Sequence, residues 1–301
     1  MKNIIVVTGG AGFVGKNLIL LLLKKTELKI VSIDNYSSGK KSNHIKNKRV
    51  KYIEGHTKSI ALILKTNKKQ IKTIFHFGEF SRIFQSFKNM NDCIDSNTVG
   101  SNAVFNFCLK NKIKLIYSAT SATLGNKGQD KNLSPYAFTK SKNLEMLKNL
   151  KKWFKMKYEI IYFYNVYGPG QIKEGPMATV IGIFENHYAK NKPLPIVRPG
   201  TQSRRFTHID DTVNICYLSW KKNLCRHYII TNKKSYTINQ VAKFFATKSI
   251  LLPARKGERY TSALSNIGQS SKIFRYFGDL QLKDYIKNFI KQHNNKAKFN
   301  N

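Results

Sequence analysis

Residues 2–15 of the chain, KNIIVVTGGAGFVG, decide the fold. The first half, Lys2–Thr8, is short and rich in β-branched residues, which is typical of a strand buried on both faces. Three glycines follow, at Gly9, Gly12 and Gly15, and an apolar stretch of helical character then runs to about Lys25. A tight turn, close backbone approach to a pyrophosphate and helix–strand packing each favour glycine in such a segment. The order predicts a dinucleotide site at the N-terminus of the first helix.

A carboxylate in the next segment indicates which dinucleotide is bound. A second strand is predicted at Lys29–Ile33, and it is followed by Asp34, 19 residues after Gly15. A carboxylate near this distance accepts hydrogen bonds from the adenosine ribose hydroxyls. It would also repel a 2′-phosphate, so the sequence favours NAD over NADP, although Lys40 and Lys41 lie nearby. The alternative, an ordinary glycine-rich turn with a surface aspartate, does not account for the whole order.

The rest of the chain alternates between strand-like and helix-like segments. Further strands are predicted at Val50–Glu54, Thr73–Phe77, Lys114–Ser118 and Glu159–Phe163, and helices at Asp95–Lys110 and Pro135–Lys155. Such alternation predicts an α/β fold, a Rossmann-type doubly wound parallel sheet with helices on both faces. Beyond Gly168 the pattern loosens into Gly- and Pro-rich loops. We expect an NAD-binding domain at 1–164 and a smaller C-terminal α/β substrate region at 165–301, some of whose segments return to the first domain.

The charge of the chain points to an anionic partner without naming it. The 301 residues contain 53 Lys and Arg against 16 Asp and Glu, a formal net charge of +37. Such an excess suits nucleic acid, acidic lipid or a phosphorylated metabolite. The lysines are scattered along the chain and Arg, the preferred residue for base and phosphate recognition, is scarce. We therefore expect a solvated basic surface and no specific nucleic-acid site.

Cysteine usage and hydropathy limit the cellular setting. The four cysteines, Cys93, Cys108, Cys216 and Cys225, form no CxxC pair and have no His/Cys cluster beside them. A metal site and a disulfide framework are therefore not expected, and a reducing compartment is favoured. The longest apolar run, Leu18–Leu23, is too short to span a membrane, and the strand-like N-terminus leaves no room for a signal peptide. We expect a cytoplasmic protein that does not bind membranes.

A tyrosine and a lysine supply candidate chemistry. Tyr136 and Lys140 are four residues apart, so on a helix their side chains lie on the same side. An ammonium beside a phenol favours the phenolate, which is a general base. The predicted fifth strand leads into hydroxyl side chains at Thr120 and Ser121, which would face a cofactor at the carboxyl edge of the sheet. Alternatively, the pair lies on a helix surface and the hydroxyls cap a loop.

These features together resemble a known family, the extended short-chain dehydrogenases/reductases of the nucleotide-sugar epimerase/dehydratase type. The similarity covers nearly the whole chain. The matching blocks, in order, are TGGAGFVG (8–15), SIDNYSSGK (32–40), IFHFGE (74–79), SNTVG (96–100), SATSATLG (118–125), PYAFTK (135–140), YFYNVYGP (162–169) and SRRFTHIDD (203–211).

The resemblance implies a mechanism and a set of site residues. Tyr136, as phenolate, removes a proton from a sugar hydroxyl, normally at C4, while NAD takes the hydride. Lys140 tunes Tyr136 and binds the nicotinamide ribose, and Thr120, with Ser121 as the alternative, hydrogen-bonds the reacting oxygen. The implied cofactor-binding residues are Gly9, Gly12, Phe13, Val14, Gly15, Asp34, Asn35, Gly39, Phe77, Gly78, Asn97, Tyr136, Lys140 and Tyr164. The implied substrate-binding residues are Thr120, Asn165, Arg204, Arg255 and Ser262.

The two residues after Thr120 indicate the branch of the family. Dehydratases of this type carry Asp-Glu there, whereas this chain has Ser121 and Ala122. The comparison favours a 4-epimerase acting on a UDP-sugar, and the small Ser262 resembles the type that admits N-acetylated sugars. The first alternative is a reductase, or an epimerase acting at another carbon, on the same scaffold. A non-catalytic dinucleotide sensor or nucleic-acid-binding protein is the alternative from another class.

Several positions depart from the family pattern. His56 stands where an adenine-binding Asp is usual, Leu124 replaces a Tyr, Arg205 replaces an Asp, and the segment 125–135 is short. Glu79 replaces a small residue near the sugar, and Arg82 is the partner that we expect for its charge.

The resemblance also implies a homodimer that is formed by the two helices predicted at Asp95–Lys110 and Pro135–Lys155. The apolar face would come from Phe105, Leu109, Leu144 and Leu147. The alternative is that these residues pack on the sheet.

Overall fold

The computed structural model describes residues 2–124, 126–257 and 273–299. Its strands are β1 (Ile4–Thr8), β2 (Lys29–Asp34), β3 (Val50–Glu54), β4 (Ile71–His76), β5 (Lys114–Thr120), β6 (Tyr158–Phe163), β7 (Val166–Tyr167), β8 (Leu194–Val197), β9 (Ser203–Arg204), β10 (Thr207–His208), β11 (His227–Thr231), β12 (Tyr236–Thr237), β13 (Ser249–Leu252) and β14 (Ile273–Phe277). Eight of them form one sheet in the order β14-β11-β6-β5-β4-β1-β2-β3, and every neighbouring pair is parallel.

The helices cover both faces of this sheet. They are α1 (Phe13–Lys25), α2 (Ile60–Ile63), α3 (Ile83–Lys88), α4 (Met90–Ile94), α5 (Ser101–Lys110), α6 (Pro135–Phe154), α7 (Val180–Ala189), α8 (Ile209–Lys222), α9 (Ile238–Phe244) and α10 (Leu282–Phe299). A π-helix, Asp95–Gly100, joins α4 to α5, so the helix predicted from Asp95 begins as a π-helical segment.

The apolar run of β1 explains the doubly wound arrangement, because successive side chains point to opposite faces. Ile4 and Val6 pack in the core beneath α5 and α6, whereas Ile5 and Val7 pack in the core beneath α1 and α8. All five residues of β1 are buried. A strand with apolar residues at every position therefore requires a helical layer on each face, and the predicted fold class is confirmed.

The residues after β6 contribute to both the large sheet and a separate core. Strands β11 and β14 complete the sheet, while α7, α9 and α10 pack around buried aromatic residues that include Phe184, Phe206 and Phe245. The short strand pairs β7–β10, β8–β13 and β9–β12 lie in this second part of the chain. The C-terminal half thus carries its own small core and also supports the sheet.

The four apolar residues that were predicted to form a dimer face pack in or against the core beneath the sheet. Phe105 and Leu147 are buried in the core beneath the sheet, and Leu109 and Leu144 pack against that core. The alternative that they pack on the sheet is therefore the one that the structure supports. No helix among the described residues is both long and apolar enough to cross a membrane.

Candidate active site

A cavity of about 500 Å³ opens at the carboxyl edge of the parallel sheet. Its walls contain residues at or just after the ends of five neighbouring strands: Gly9 after β1, Asp34 at the end of β2, Phe77 after β4, Thr120 at the end of β5 and Phe163 at the end of β6. The chain order reverses between β1 and β4, which is the place where open α/β sheets bind their ligands.

The glycine turn lets the backbone approach the cavity closely. Gly9 has a φ of +72°, and the Gly12 N–H donates to the Gly9 carbonyl at 3.1 Å. A Cβ atom on Gly15 would lie 2.1 Å from that carbonyl oxygen, so a larger residue there requires backbone movement. Helix α1 begins just after Gly12 without a side-chain cap. Its first N–H groups and positive dipole end therefore suit a phosphate.

Asp34 lies in the cavity wall and is held there by backbone donors. Its Oδ2 accepts the Ala11 N–H at 2.9 Å and its Oδ1 accepts the Tyr36 N–H at 2.8 Å. Burial raises the pKa of this carboxyl, and the two backbone hydrogen bonds oppose that rise. Each oxygen retains acceptor capacity, so the carboxylate is oriented to receive ribose hydroxyls.

The three predicted catalytic residues line the same cavity. Helix α6 begins at Pro135, capped by the Ser134 hydroxyl, and thereby presents Tyr136 and Lys140 on its first turns. Thr120 closes β5, and its Oγ1 accepts the Ala122 N–H at 3.2 Å, which leaves its own O–H available to donate. The fold therefore brings a hydroxyl, a phenol and an ammonium into the wall of one cavity.

Lys140 forms an ion pair with Glu79, the carboxylate that was predicted to pair with Arg82. Its Nζ donates to Glu79 Oε2 and to the Ser118 carbonyl, the latter at 2.6 Å. The side chains of Glu79 and Lys140 are 2% and 5% exposed. The expectation that Arg82 would pair with Glu79 is wrong, because α6 brings the ammonium of residue 140 to the carboxylate across the sheet edge.

Further donors complete the surroundings of Glu79. Ser101 Oγ, Tyr117 OH and Asn143 Nδ2 donate to its Oε1 at 2.7, 3.0 and 3.1 Å. His76 lies behind them, with Nε2 2.9 Å from Ser101 Oγ and Nδ1 2.7 Å from Thr8 Oγ1. Burial lowers the pKa of His76 to about 4. A buried polar network thus fixes the position of Lys140 from behind.

Arg82 also lies in the cavity wall, but it is bound by carbonyl groups. Its Nε donates to the Met177 carbonyl at 3.0 Å, Nη2 donates to the same oxygen, and Nη1 donates to the Ser81 carbonyl at 2.9 Å. Burial lowers the pKa of its guanidinium, and a charge on Tyr136 would act on it in the opposite direction. Sequence analysis did not count this arginine among the site residues.

Three further predicted substrate-binding residues lie in the cavity wall. Asn165 donates from Nδ2 to the Arg205 carbonyl at 2.8 Å, and Arg204 donates to the Ser203 carbonyl at 2.8 Å. Arg255 packs its guanidinium over the Phe84 ring, 5.3 Å from the ring centroid. All three residues line the cavity. Ser262 lies outside the described residues.

Three predicted cofactor residues are placed away from the cavity wall. Asn97 is buried and bonds the backbone of Phe80 through both ends of its amide, at 2.6 and 3.1 Å. Tyr164 lies in the core beneath the sheet, where strand alternation leaves the preceding Phe163 to face the cavity. Gly39 packs closely against the Asp34 carboxylate, so that a Cβ atom at position 39 would lie only 2.9 Å from Oδ1.

The remaining predicted cofactor residues line the cavity, together with residues that the sequence did not single out. The former are Phe13, Val14, Asn35, Phe77 and Gly78. The latter include Ser37, Ser38, Thr57, Ser96 and Phe163. His56, noted as a departure, also lines the cavity, and its Nε2 lies 3.3 Å from Asp95. Burial lowers the pKa of His56.

Comparison with known proteins assigns the family. Residues 5–230 match the model of the NAD dependent epimerase/dehydratase family. The chain belongs to this family. It is 27% identical, over 96% of its length and 99% of the relative's, to a protein of Methanocaldococcus jannaschii that carries the provisional name UDP-glucose 4-epimerase. It is also 27% identical, over 71% of its length and 70% of the relative's, to an ADP-L-glycero-D-manno-heptose-6-epimerase of Fusobacterium nucleatum.

A solved structure extends the similarity to the three-dimensional level. The UDP-glucuronic acid 4-epimerase of Bacillus cereus, in complex with UDP-glucuronic acid and NAD, is 25% identical and superposes with a TM-score of 0.82. The match covers 96% of this chain and 99% of that one. Like the family as a whole, the chain uses NAD as its cofactor. The glycine turn, the uncapped start of α1 and the Asp34 carboxylate fit this dinucleotide.

Proposed function

We propose that the protein is an NAD-dependent nucleotide-sugar epimerase that inverts C4 of a UDP-sugar through a transient 4-keto intermediate. One observation carries the proposal: Thr120, Tyr136 and Lys140 line the same cavity as the glycine turn and Asp34. The names of the similar proteins support the class of substrate, since two of the three are 4-epimerases of UDP-sugars.

In this proposal Tyr136 acts as the base. Its phenolate removes the proton from the C4 hydroxyl of the sugar while the C4–H bond breaks and a carbonyl forms. NAD, when bound, would supply the hydride acceptor and donor for C4. Thr120 donates a hydrogen bond to the reacting oxygen, and Lys140 binds the nicotinamide ribose with the donor capacity that Glu79 and Ser118 leave. Tyr136 would return its proton to the C4 oxygen as hydride is delivered to the opposite face of C4, so the inversion would involve no net consumption of NAD.

Two arginines serve the nucleotide diphosphate. Arg204 and Arg255 line the cavity and offer charge-assisted hydrogen bonds to phosphate oxygens. Asn165 lies beside them, where it contributes to substrate binding. The role proposed for Ser262 as a small residue beside the sugar rests on the family resemblance.

A second candidate keeps the same chemistry but moves it to another carbon. The relative from Fusobacterium nucleatum is named a 6-epimerase and matches this chain over 71% of its length at 27% identity. An inversion at C6 would use the same tyrosine, lysine and NAD on a differently oriented sugar.

The test is turnover of a panel of nucleotide sugars, followed by NMR. The panel contains UDP-glucose, UDP-N-acetylglucosamine, UDP-glucuronic acid and an ADP-heptose. We expect inversion at C4 of at least one UDP-sugar, with no net formation of NADH. The Tyr136→Phe variant should lose about 100- to 10,000-fold in kcat, since it lacks the proton-accepting oxygen. Wild-type turnover by that variant, or inversion of the ADP-heptose alone, would contradict the proposal.

We also propose a homodimer formed by the surface of α6 that faces away from the sheet. Phe138 and Met146 are 47% and 41% exposed on this helix, and Ile94 at the end of α4 is 40% exposed. Burying such a patch against a second copy removes apolar surface from water. Sedimentation should give a dimer for the wild type, and a Phe138→Glu/Met146→Glu variant should sediment as a monomer. A monomeric wild type at micromolar concentration would contradict this.

A further inference from the structure

The charges that line the cavity are unevenly matched. Two of its cations, Arg204 and Arg255, are assigned to the diphosphate in the function proposed above. The ammonium of Lys140 is neutralised by the Glu79 carboxylate in a buried pair. Asp34 lies at the ribose end and is bound by backbone N–H groups. Lys256 also lines the cavity, with its ammonium 4.9 Å from the centroid of the Phe87 ring. The charge of Arg82 has no role in this arrangement.

Arg82 is held rigidly by neutral groups. The Met177 and Ser81 carbonyls accept three of its hydrogen bonds. A guanidinium has five N–H groups, so two remain for a ligand. Within the part of the chain that the structure describes, no carboxylate lies within 4.0 Å of the guanidinium. The side chain is therefore oriented in advance, and no acid among the described residues forms an ion pair with it.

The position of Arg82 is at the reacting end of the cavity. Arg82 and Tyr136 both line the cavity, and a charge on Tyr136 would raise the pKa of the guanidinium. The next residue, Ile83, packs with Tyr136 and Ala122 in one small apolar cluster. A ligand whose C4 hydroxyl lies at Tyr136 therefore presents the substituents beside C4 to Arg82. Partial burial strengthens an attraction between such a guanidinium and an anion.

We propose that Arg82 binds a carboxylate substituent of the substrate sugar, so that the enzyme prefers acidic nucleotide sugars. This inference rests on the proposed function and names its substrate class. Two kinds of carboxylate flank C4: the C6 carboxylate of a uronic acid, and an acid carried in ether linkage on O3. A planar guanidinium with two remaining N–H groups suits either one through charge-assisted hydrogen bonds.

The experiment compares acidic with neutral sugars in matched variants. UDP-glucuronic acid and UDP-N-acetylmuramic acid are the acidic probes, and UDP-glucose and UDP-N-acetylglucosamine are their neutral counterparts. The wild type, Arg82→Gln and Arg82→Lys are assayed for kcat/KM by NMR and for substrate affinity by calorimetry. Thermal melting checks that the loss of the Met177 contact has not unfolded the variants, and Arg82→Lys keeps the charge if Arg82→Gln is unstable.

We expect the wild type to prefer one acidic sugar over its neutral counterpart, and which acid it prefers identifies the source of the carboxylate. Arg82→Gln should reduce that preference about 10- to 100-fold, since it removes a charge-assisted contact. Arg82→Lys should keep part of the preference, and Arg255→Gln should weaken acidic and neutral sugars alike. An equal loss for all four sugars in Arg82→Gln overturns the inference and assigns Arg82 to Tyr136 or to the Met177 loop.

Failure of the proposed function leaves a different signature. If no sugar is inverted but the acidic sugar binds more tightly than the neutral one, and only while Arg82 is present, the binding inference stands and the catalytic proposal fails. If a neutral sugar is inverted and the acidic ones neither bind nor react, the catalytic class stands and the inference about Arg82 is wrong.

Discussion

Replacement of Glu79 by Gln tests the buried pair on which the site is built. The substitution preserves the shape of the side chain and one carbonyl oxygen, which still accepts from Ser101, Tyr117 or Asn143. It removes the charge that compensates the buried ammonium of Lys140. Removing one partner of a buried pair costs about 3–5 kcal/mol, because the remaining charge stays in a poorly solvated place.

The size of the effect in melting temperature depends on chain length. An unfolding entropy of about 2.1 cal/mol/K per residue gives about 0.6 kcal/mol/K for this chain. A loss of about 3–5 kcal/mol should therefore lower the melting temperature by roughly 5–8 °C. Lys140→Met should cost a comparable amount, since it leaves the carboxylate unpaired. The double variant removes both charges. Its loss of unfolding free energy should be about 3 kcal/mol smaller than the sum of the two single-variant losses.

The assay is a double-mutant cycle measured by urea unfolding at pH 7. The matched control is Glu145→Gln, which breaks the pair with Lys142 on the same helix, where both side chains are about half exposed. That variant should change the free energy of unfolding by no more than about 0.5 kcal/mol. A Glu79→Gln loss as small as that of the control would refute the assignment of a buried, mutually dependent pair.

Three other predictions concern the loss of unfolding free energy at low pH and the cofactor site. The pKa of His76 in the folded protein is about 4 against 6.5 for an unperturbed histidine, so the unfolded chain binds the proton first, and the stability present above pH 6.5 is lost as the pH falls toward 4. The fall in unfolding free energy between pH 7 and pH 5 should therefore shrink by about 2 kcal/mol in His76→Asn, and an unchanged fall would contradict this. Gly15→Ala should weaken NADH binding, measured by nicotinamide fluorescence, far more than Gly12→Ala, because their Cβ atoms would lie 2.1 and 3.2 Å from the Gly9 oxygen; equal losses would count against the close backbone approach. Asp34→Ala should weaken NADH about 10-fold or more, since it removes the acceptor for the ribose hydroxyls, and an unchanged affinity would place the ribose elsewhere.

The architecture was predictable because its signals are local. The apolar runs at β1, β2, β5 and β6 and the glycine turn after β1 each report on residues that are neighbours in the chain. The strand at Val50–Glu54 was predicted with its observed bounds, and the others differ by one or two residues at one or both ends. Parallel strands place their carboxyl ends at one edge, so the motifs that come after them meet there for a reason that the sequence already contains.

Side-chain partnerships within the site depended on packing between distant segments. Glu79 and Lys140 are 61 residues apart, and nothing in the sequence distinguishes Lys140 from the nearer Arg82 as the partner of the carboxylate. The orientations of two predicted cofactor residues also differ from the expectation. Asn97 lies in the π-helical segment, and Tyr164 directly follows β6, where side chains alternate between the two faces. By itself the sequence determined the fold class, the NAD motif and the identity of the tyrosine and lysine. The tertiary structure alone decided which buried charges neutralise one another, because Lys140 reaches Glu79 only when α6 packs against the sheet. Among the described residues, that pairing leaves Arg82 without an acidic partner.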